Sequence, residues 1–130
     1  MVMIGFTVDN AIDNILSGAK RTTIRKYSPK RFEQIERIGK LQLYWKPRTK
    51  DCEHIADVQL EYIVKFKFPS SWEEANEDYD YWEYTAKKDG FNNYEGMIYW
   101  FEEEYGDELY DMDFMIIQWY IPNKGENNEK

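Results

Sequence analysis

The run VQLEYIVKFKF, residues 58 to 68, constrains this chain more than any other stretch. Val58, Leu60, Tyr62, Val64, Phe66 and Phe68 point one way, while Gln59, Glu61, Lys65 and Lys67 point the other. A period of two residues belongs to a β-strand with one apolar face. Strands usually run to about five or six residues, and longer ones twist and curve, which is how barrels are built. The run therefore predicts one long curved strand.

The remaining elements arrange themselves around that strand. MVMIGFT reads as an opening strand. Val8, Ile12, Ile15 and Leu16 then fall at helical spacing, with Thr7 as N-cap and Gly18 as the stop. RTTIR is a short β-branched strand. SPKRFEQIERIG is a helix with Ser28 as cap, Pro29 at its first position, Phe32, Ile35 and Ile38 on one face, and Gly39 at its end. KLQLYWK alternates as a half-buried strand. Two short acidic, aromatic helices are expected between residues 70 and 90, and a longer one from Asn92 with a capping box to Glu95. DFMIIQWYI is apolar on both sides, as a central strand would be. Strands separated by short helices predict an α+β fold, either a small mixed β-barrel with helices packed around it or an open α+β sheet, between which the pattern alone does not choose. At 130 residues one domain is expected, over 1–122, with a disordered tail at 123–130.

Charge divides the chain. Between Lys20 and Lys50 eleven cations face only Glu33 and Glu36, whereas from Asp51 onward 21 acids face six bases. The net charge of −8 argues against a duplex-DNA binder, which needs cations over a broad face. It leaves room for a small anion, or a few phosphates, in a local basic cleft. No apolar run reaches the length of a membrane span, and no signal segment opens the chain, so a cytoplasmic monomer or small oligomer is expected. A lone cysteine, Cys52, and a lone histidine, His54, predict neither a disulfide nor a metal site. No cofactor is implied.

The cations concentrate in ILSGAKRTTIRKY, residues 15 to 27. Strict alternation puts Thr23 with Arg21 and Arg25, and Lys20 on the other face with Thr22 and Ile24. Lys20 can join Thr23 only from the turn after Gly18, before the pleat begins. Farther on, Arg48 with Thr49 could hold a phosphate, and Tyr44 or Trp45 could stack on a base. The spacing predicts that Lys20, Thr23, Arg25 and Arg48 converge on one pocket.

ILSGAKRTTIRK resembles the signature of the ASCH domain, a branch of the PUA-like superfamily, through Gly18, Lys20, Thr23 and Arg25. LQLYWKPRTKDCEHI, AKKDGFNNYEGMIYWFEEEYG and MDFMIIQW resemble further family stretches, in the expected order along nearly the whole chain. The resemblance implies a barrel of the PUA-like type with a cleft lined by the Lys-Thr-Arg strand and closed by the DGF segment. It also implies RNA, a nucleotide or a nucleoside as partner. One bacterial branch of the family is a small amidohydrolase that deacetylates N4-acetylcytidine with a Lys, a Thr and a Glu. These map to Lys20, Thr23 and Asp89, the last one methylene shorter than Glu. Ligand binding would then fall to Arg21, Arg25, Tyr44, Trp45 and Arg48.

Amide hydrolysis needs a nucleophile, a base and oxyanion stabilisation. Thr23 is a hydroxyl nucleophile only with a base beside it, and Lys20 becomes one only if burial and neighbouring cations lower its pKa. Asp89 could protonate the leaving amine. Two readings stay open: a module that binds RNA, a nucleotide or a nucleoside, and a metal-independent amidohydrolase of N4-acylcytidine. Ribonuclease chemistry in the same cleft is a third, less favoured.

Overall fold

The computed structural model describes residues 2–8 and 10–122. Five strands form one curled sheet in the order β1-β3-β4-β5-β2. They are β1 (Val2–Phe6), β2 (Thr22–Lys26), β3 (Lys40–Trp45), β4 (Glu53–Phe66) and β5 (Phe114–Tyr120). β1 runs parallel to β3, and every other pairing is antiparallel. The helices are α1 (Ala11–Ser17), α2 (Pro29–Ile38), α3 (Trp72–Glu77), α4 (Tyr79–Lys88) and α5 (Tyr94–Tyr105), and a 3-10 turn covers Gly106–Asp111. The architecture is thus α+β with a barrel-like sheet. The expected tail at 123–130 lies outside the described residues.

The long strand exists, at 14 residues, but its alternation is not that of one face. Its register against β5 shifts by one between Leu60 and Tyr62, which leaves Glu61 unpaired. A one-residue bulge reverses every side chain beyond it. Val58 and Leu60 therefore join the cluster inside the curl, whereas Tyr62 and Phe66 join the cluster on the opposite face. Ile63, on the polar side of the sequence pattern, is buried inside, and Val64 is 47% exposed. Phe68 lies beyond the strand and is buried under the helices. A second shift against β3 turns Ile55 and Ala56 both inward.

Two cores result. Inside the curl, Val2, Ile4, Phe6, Leu41, Leu43, Ile117 and Trp119 meet Ala11 and Ile15 of α1 and Ile35 of α2. On the other face, Ile24, Phe114 and Ile116 meet Met97, Ile98 and Phe101 of α5 with Phe68 and Ala86. β5 is buried from both sides, as its unbroken apolar run predicts. α2 is built as its sequence reads: the Ser28 side chain accepts from the Arg31 amide, Pro29 opens the helix, and Gly39 ends it left-handed at φ 70°.

Two caps differ from expectation. α1 starts at Asn10, itself left-handed, rather than at Thr7, and Val8 and Leu16 of the expected apolar stripe are exposed. α5 is capped by Asn93, whose side chain accepts from the Gly96 amide, rather than by Asn92.

Candidate functional site

β1 and β2 are the two edges of the sheet, and a deep cleft lies beside them. Its most constrained member is Lys20. α1 stops at Gly18, which takes φ 84° and returns its amide to the Ile15 carbonyl. The chain then turns, the Lys20 amide donates to Asn14 O at 2.9 Å, and the Arg21 amide donates to Lys88 O at 2.8 Å. Lys20 is therefore pinned between α1 and the end of α4, ahead of the first pleated residue of β2. This is the turn position from which it can share a cleft with Thr23.

From there the Lys20 ammonium donates to the Asp89 carbonyl at 2.7 Å and lies 3.3 Å from Asp89 Oδ1. Asp89 is the C-cap of α4, so the ammonium sits at the negative end of a helix dipole. Thr22 donates from β2 to the same Oδ1 at 2.9 Å. Thr23 points to the other face, where its hydroxyl accepts from Arg25 Nε at 2.9 Å. Arg25 in turn donates to the Gly5 carbonyl at 2.6 Å. The Phe6 ring lies beneath both cations, 5.6 Å from Lys20 Nζ and 5.2 Å from the Arg25 guanidinium carbon.

The cleft holds about 470 Å3 and has two kinds of wall. Lys20, Thr23, Arg25 and Asp89 supply the polar one, while Phe6, Phe91, Trp100 and Tyr105 supply the aromatic one. That volume and mixture are those of a small-molecule site. Among the described residues no group of three His, Cys, Asp or Glu side chains is placed to hold a metal ion.

Burial sets the electrostatics. Lys20 is 6% exposed and Asp89 9%. Burial pushes the Lys20 ammonium below its ordinary value, Asp89 pulls it back, and Arg25 adds to the fall. Burial pushes the Asp89 carboxyl up, against the pull of Lys20, Thr22 and Arg25. An amine readier to release a proton thus touches a carboxyl readier to hold one. This is the composition of a general acid–base pair.

Against protein-family models, curated proteins and solved structures, the chain matches none.

Lys20, Thr23, Arg25 and Asp89 come together, and four other candidates do not join them. Arg21 is exposed, with its backbone tied to Lys88 and Trp119. Tyr44 sets its ring edge-on to His54 at 5.2 Å. Trp45 packs partly buried against the inner core, with Lys46 Nζ 5.2 Å from its ring. Arg48 is exposed in a loop that turns through positive φ at Lys46 and Arg48. Convergence of Arg48 with the other three is therefore not what the fold produces. The β3–β4 loop packs on β1, with the Lys46 amide donating to Phe6 O and the Pro47 ring lying over Gly5.

Thr22 and the aromatic wall are additions to the sequence reading. Thr22 was legible as the neighbour of Thr23, but only the folded chain shows that its hydroxyl reaches Asp89. Trp100 falls off the apolar stripe of α5, and a large ring off the buried stripe is the signal that could have marked it. Behind the site, buried Lys88 donates to Gln118 Oε1 at 2.6 Å, and Gln118 passes a bond to Glu61 at 2.6 Å. This network ties the end of α4 to β5 and so fixes the residue before Asp89.

Proposed function

We propose that the cleft binds a nucleobase-bearing ligand: a nucleoside, a nucleotide or an unpaired base of RNA. The observation that supports this is the pairing of an aromatic wall, Phe6, Phe91, Trp100 and Tyr105, with the cationic wall of Lys20 and Arg25 around one nucleoside-sized volume. Rings accept a base by stacking, and fixed donors read its carbonyls or a phosphate. The resemblance of the segment from Lys20 to Arg25 to the ASCH signature points to the same class of ligand. Trp100 in the cleft is a built-in fluorescence probe. Titration with nucleosides, nucleotides and short single-stranded RNA should quench it saturably, and the RNA affinity should fall as salt rises. Absence of binding by all three at low salt would end the proposal.

A second reading, hydrolysis of N4-acylcytidine, is favoured by the contact of Lys20 with Asp89 and by the Arg25 bond to Thr23. Arg25 beside the hydroxyl stabilises its alkoxide. In this reading neutral Lys20 takes the Thr23 proton as Oγ1 attacks the acyl carbon. The C–N bond breaks as Asp89 protonates the departing N4 amine, and water then hydrolyses the acyl-threonine to free the carboxylic acid. Incubation with N4-acetylcytidine and chromatographic detection of cytidine tests it. Lys20→Met should abolish the product, and an equally active variant would remove Lys20 from the chemistry.

A further inference from the structure

On the other side of Arg25 a second cavity of about 220 Å3 opens, with Arg25, Lys26, Ser28 and Arg31 on its polar side and Ile4, Met115 and Ile117 on its apolar side. Its origin lies in how the sheet is closed. β1 and β2 are not paired with each other, so their facing edges lack a backbone ladder. Two guanidiniums span the gap instead. Arg25 donates to the Gly5 carbonyl, and Arg31, in the first turn of α2, donates to the Met3 carbonyl.

That closure leaves charge uncompensated. Among the described residues, neither Arg25, Lys26 nor Arg31 forms an ion pair with an acid. Asp89 is the acid whose charge acts on Arg25, and its carboxylate is already held by Lys20 and Thr22 on the cleft side. The Arg31 charge opposes that of Arg25. A guanidinium has five N–H donors. Arg25 commits two to Thr23 and Gly5, and Arg31 commits one to Met3, so both keep donors free. Ser28 accepts from the Arg31 amide, which leaves its hydroxyl hydrogen to donate.

We infer that this cavity is a phosphate seat, in which Arg25 and Arg31 grip the oxygens of a phosphate or phosphomonoester, Lys26 adds a third positive charge and Ser28 a hydroxyl. Paired guanidiniums match the geometry of a tetrahedral oxyanion, and two like charges around one cavity are relieved when an anion enters. The seat stands apart from the ligand proposed for the cleft, although Arg25 forms the wall between them.

The test is calorimetric titration of the full chain with inorganic phosphate and with methyl phosphate, at constant ionic strength held by chloride. Saturable millimolar binding is expected. Tighter binding of methyl phosphate would identify an esterified phosphate as the natural occupant, and tighter binding of inorganic phosphate the free ion. Lys26→Gln changes an exposed side chain and leaves both β1 bonds intact, and it should weaken binding about tenfold, as should Arg31→Lys. No binding at tens of millimolar, or binding unchanged in both variants, overturns the inference. Nucleoside binding in the cleft should survive Lys26→Gln, so failure of the seat and failure of the cleft are read separately.

Discussion

The ammonium of Lys20 lies 3.3 Å from the carboxylate of Asp89, and both groups are nearly sealed from water. They are 69 residues apart in the chain. Removing one partner strands the other in a poorly solvated place, which commonly costs about 3–5 kcal/mol. Lys20→Met and Asp89→Leu should each lower stability by about that much. The double variant should cost less than the sum by about 1–3 kcal/mol. Urea unfolding of the four proteins checks it, and strict additivity would deny the coupling.

The same pair predicts a pH signature. Asp89 is raised above its ordinary 3.8, so the folded chain holds that proton more tightly than the unfolded chain. Stability from this group is full below 3.8 and falls as pH rises toward the folded-state value. Lys20 is lowered below 10.5, so there the unfolded chain holds the proton more tightly and stability is regained as pH climbs toward 10.5. The stability difference between parent and Asp89→Asn should therefore decline across the acid limb. The difference between parent and Lys20→Met should grow across the alkaline limb. Flat differences in pH-dependent urea unfolding would contradict the burial of these groups.

Gly5 is where β1 passes under the β3–β4 loop. A Cβ there would lie 2.8 Å from Pro47 Cδ and closer still to Cγ, and a proline ring cannot swing aside. Gly5→Ala should destabilise the fold by about 1–3 kcal/mol. Adding Pro47→Ala should restore most of that loss in thermal unfolding. Without such rescue, the cause would have to be something other than this contact.

Binding should follow the wall of the cleft and not the charge of the chain. Trp100 is 40% exposed, so Trp100→Ala should leave the fold nearly intact. It should weaken nucleoside binding by about 1–3 kcal/mol, the worth of one stacked ring. Arg25→Gln should weaken it as well, whereas Arg48→Ala should change nothing. A titration in which Arg48→Ala weakens nucleoside binding as much as Arg25→Gln would place the ligand elsewhere.

Much of this molecule is local and therefore written in the chain. Gly18 and Gly39 stop helices because only a residue without Cβ enters left-handed backbone cheaply, and Ser28 with Pro29 starts one because caps act over three residues. The apolar run of β5 announces burial on both faces. The turn after Gly18 puts Lys20 ahead of the pleat, so its freedom to face Thr23 was legible too. What the chain could not declare depends on partners far off in sequence. The bulge at Glu61 exists only against β5, and it sends Tyr62 and Phe66 to the face opposite Val58 although all three share one parity. Arg25 and Arg48 are alike as cations, yet strand order sets one at the seam between β1 and β2 and the other on an exposed loop. Helix stops and strand periods are decided by neighbours a few bonds away. Which side chains share a cavity is decided by how the sheet curls, and no short stretch contains that information.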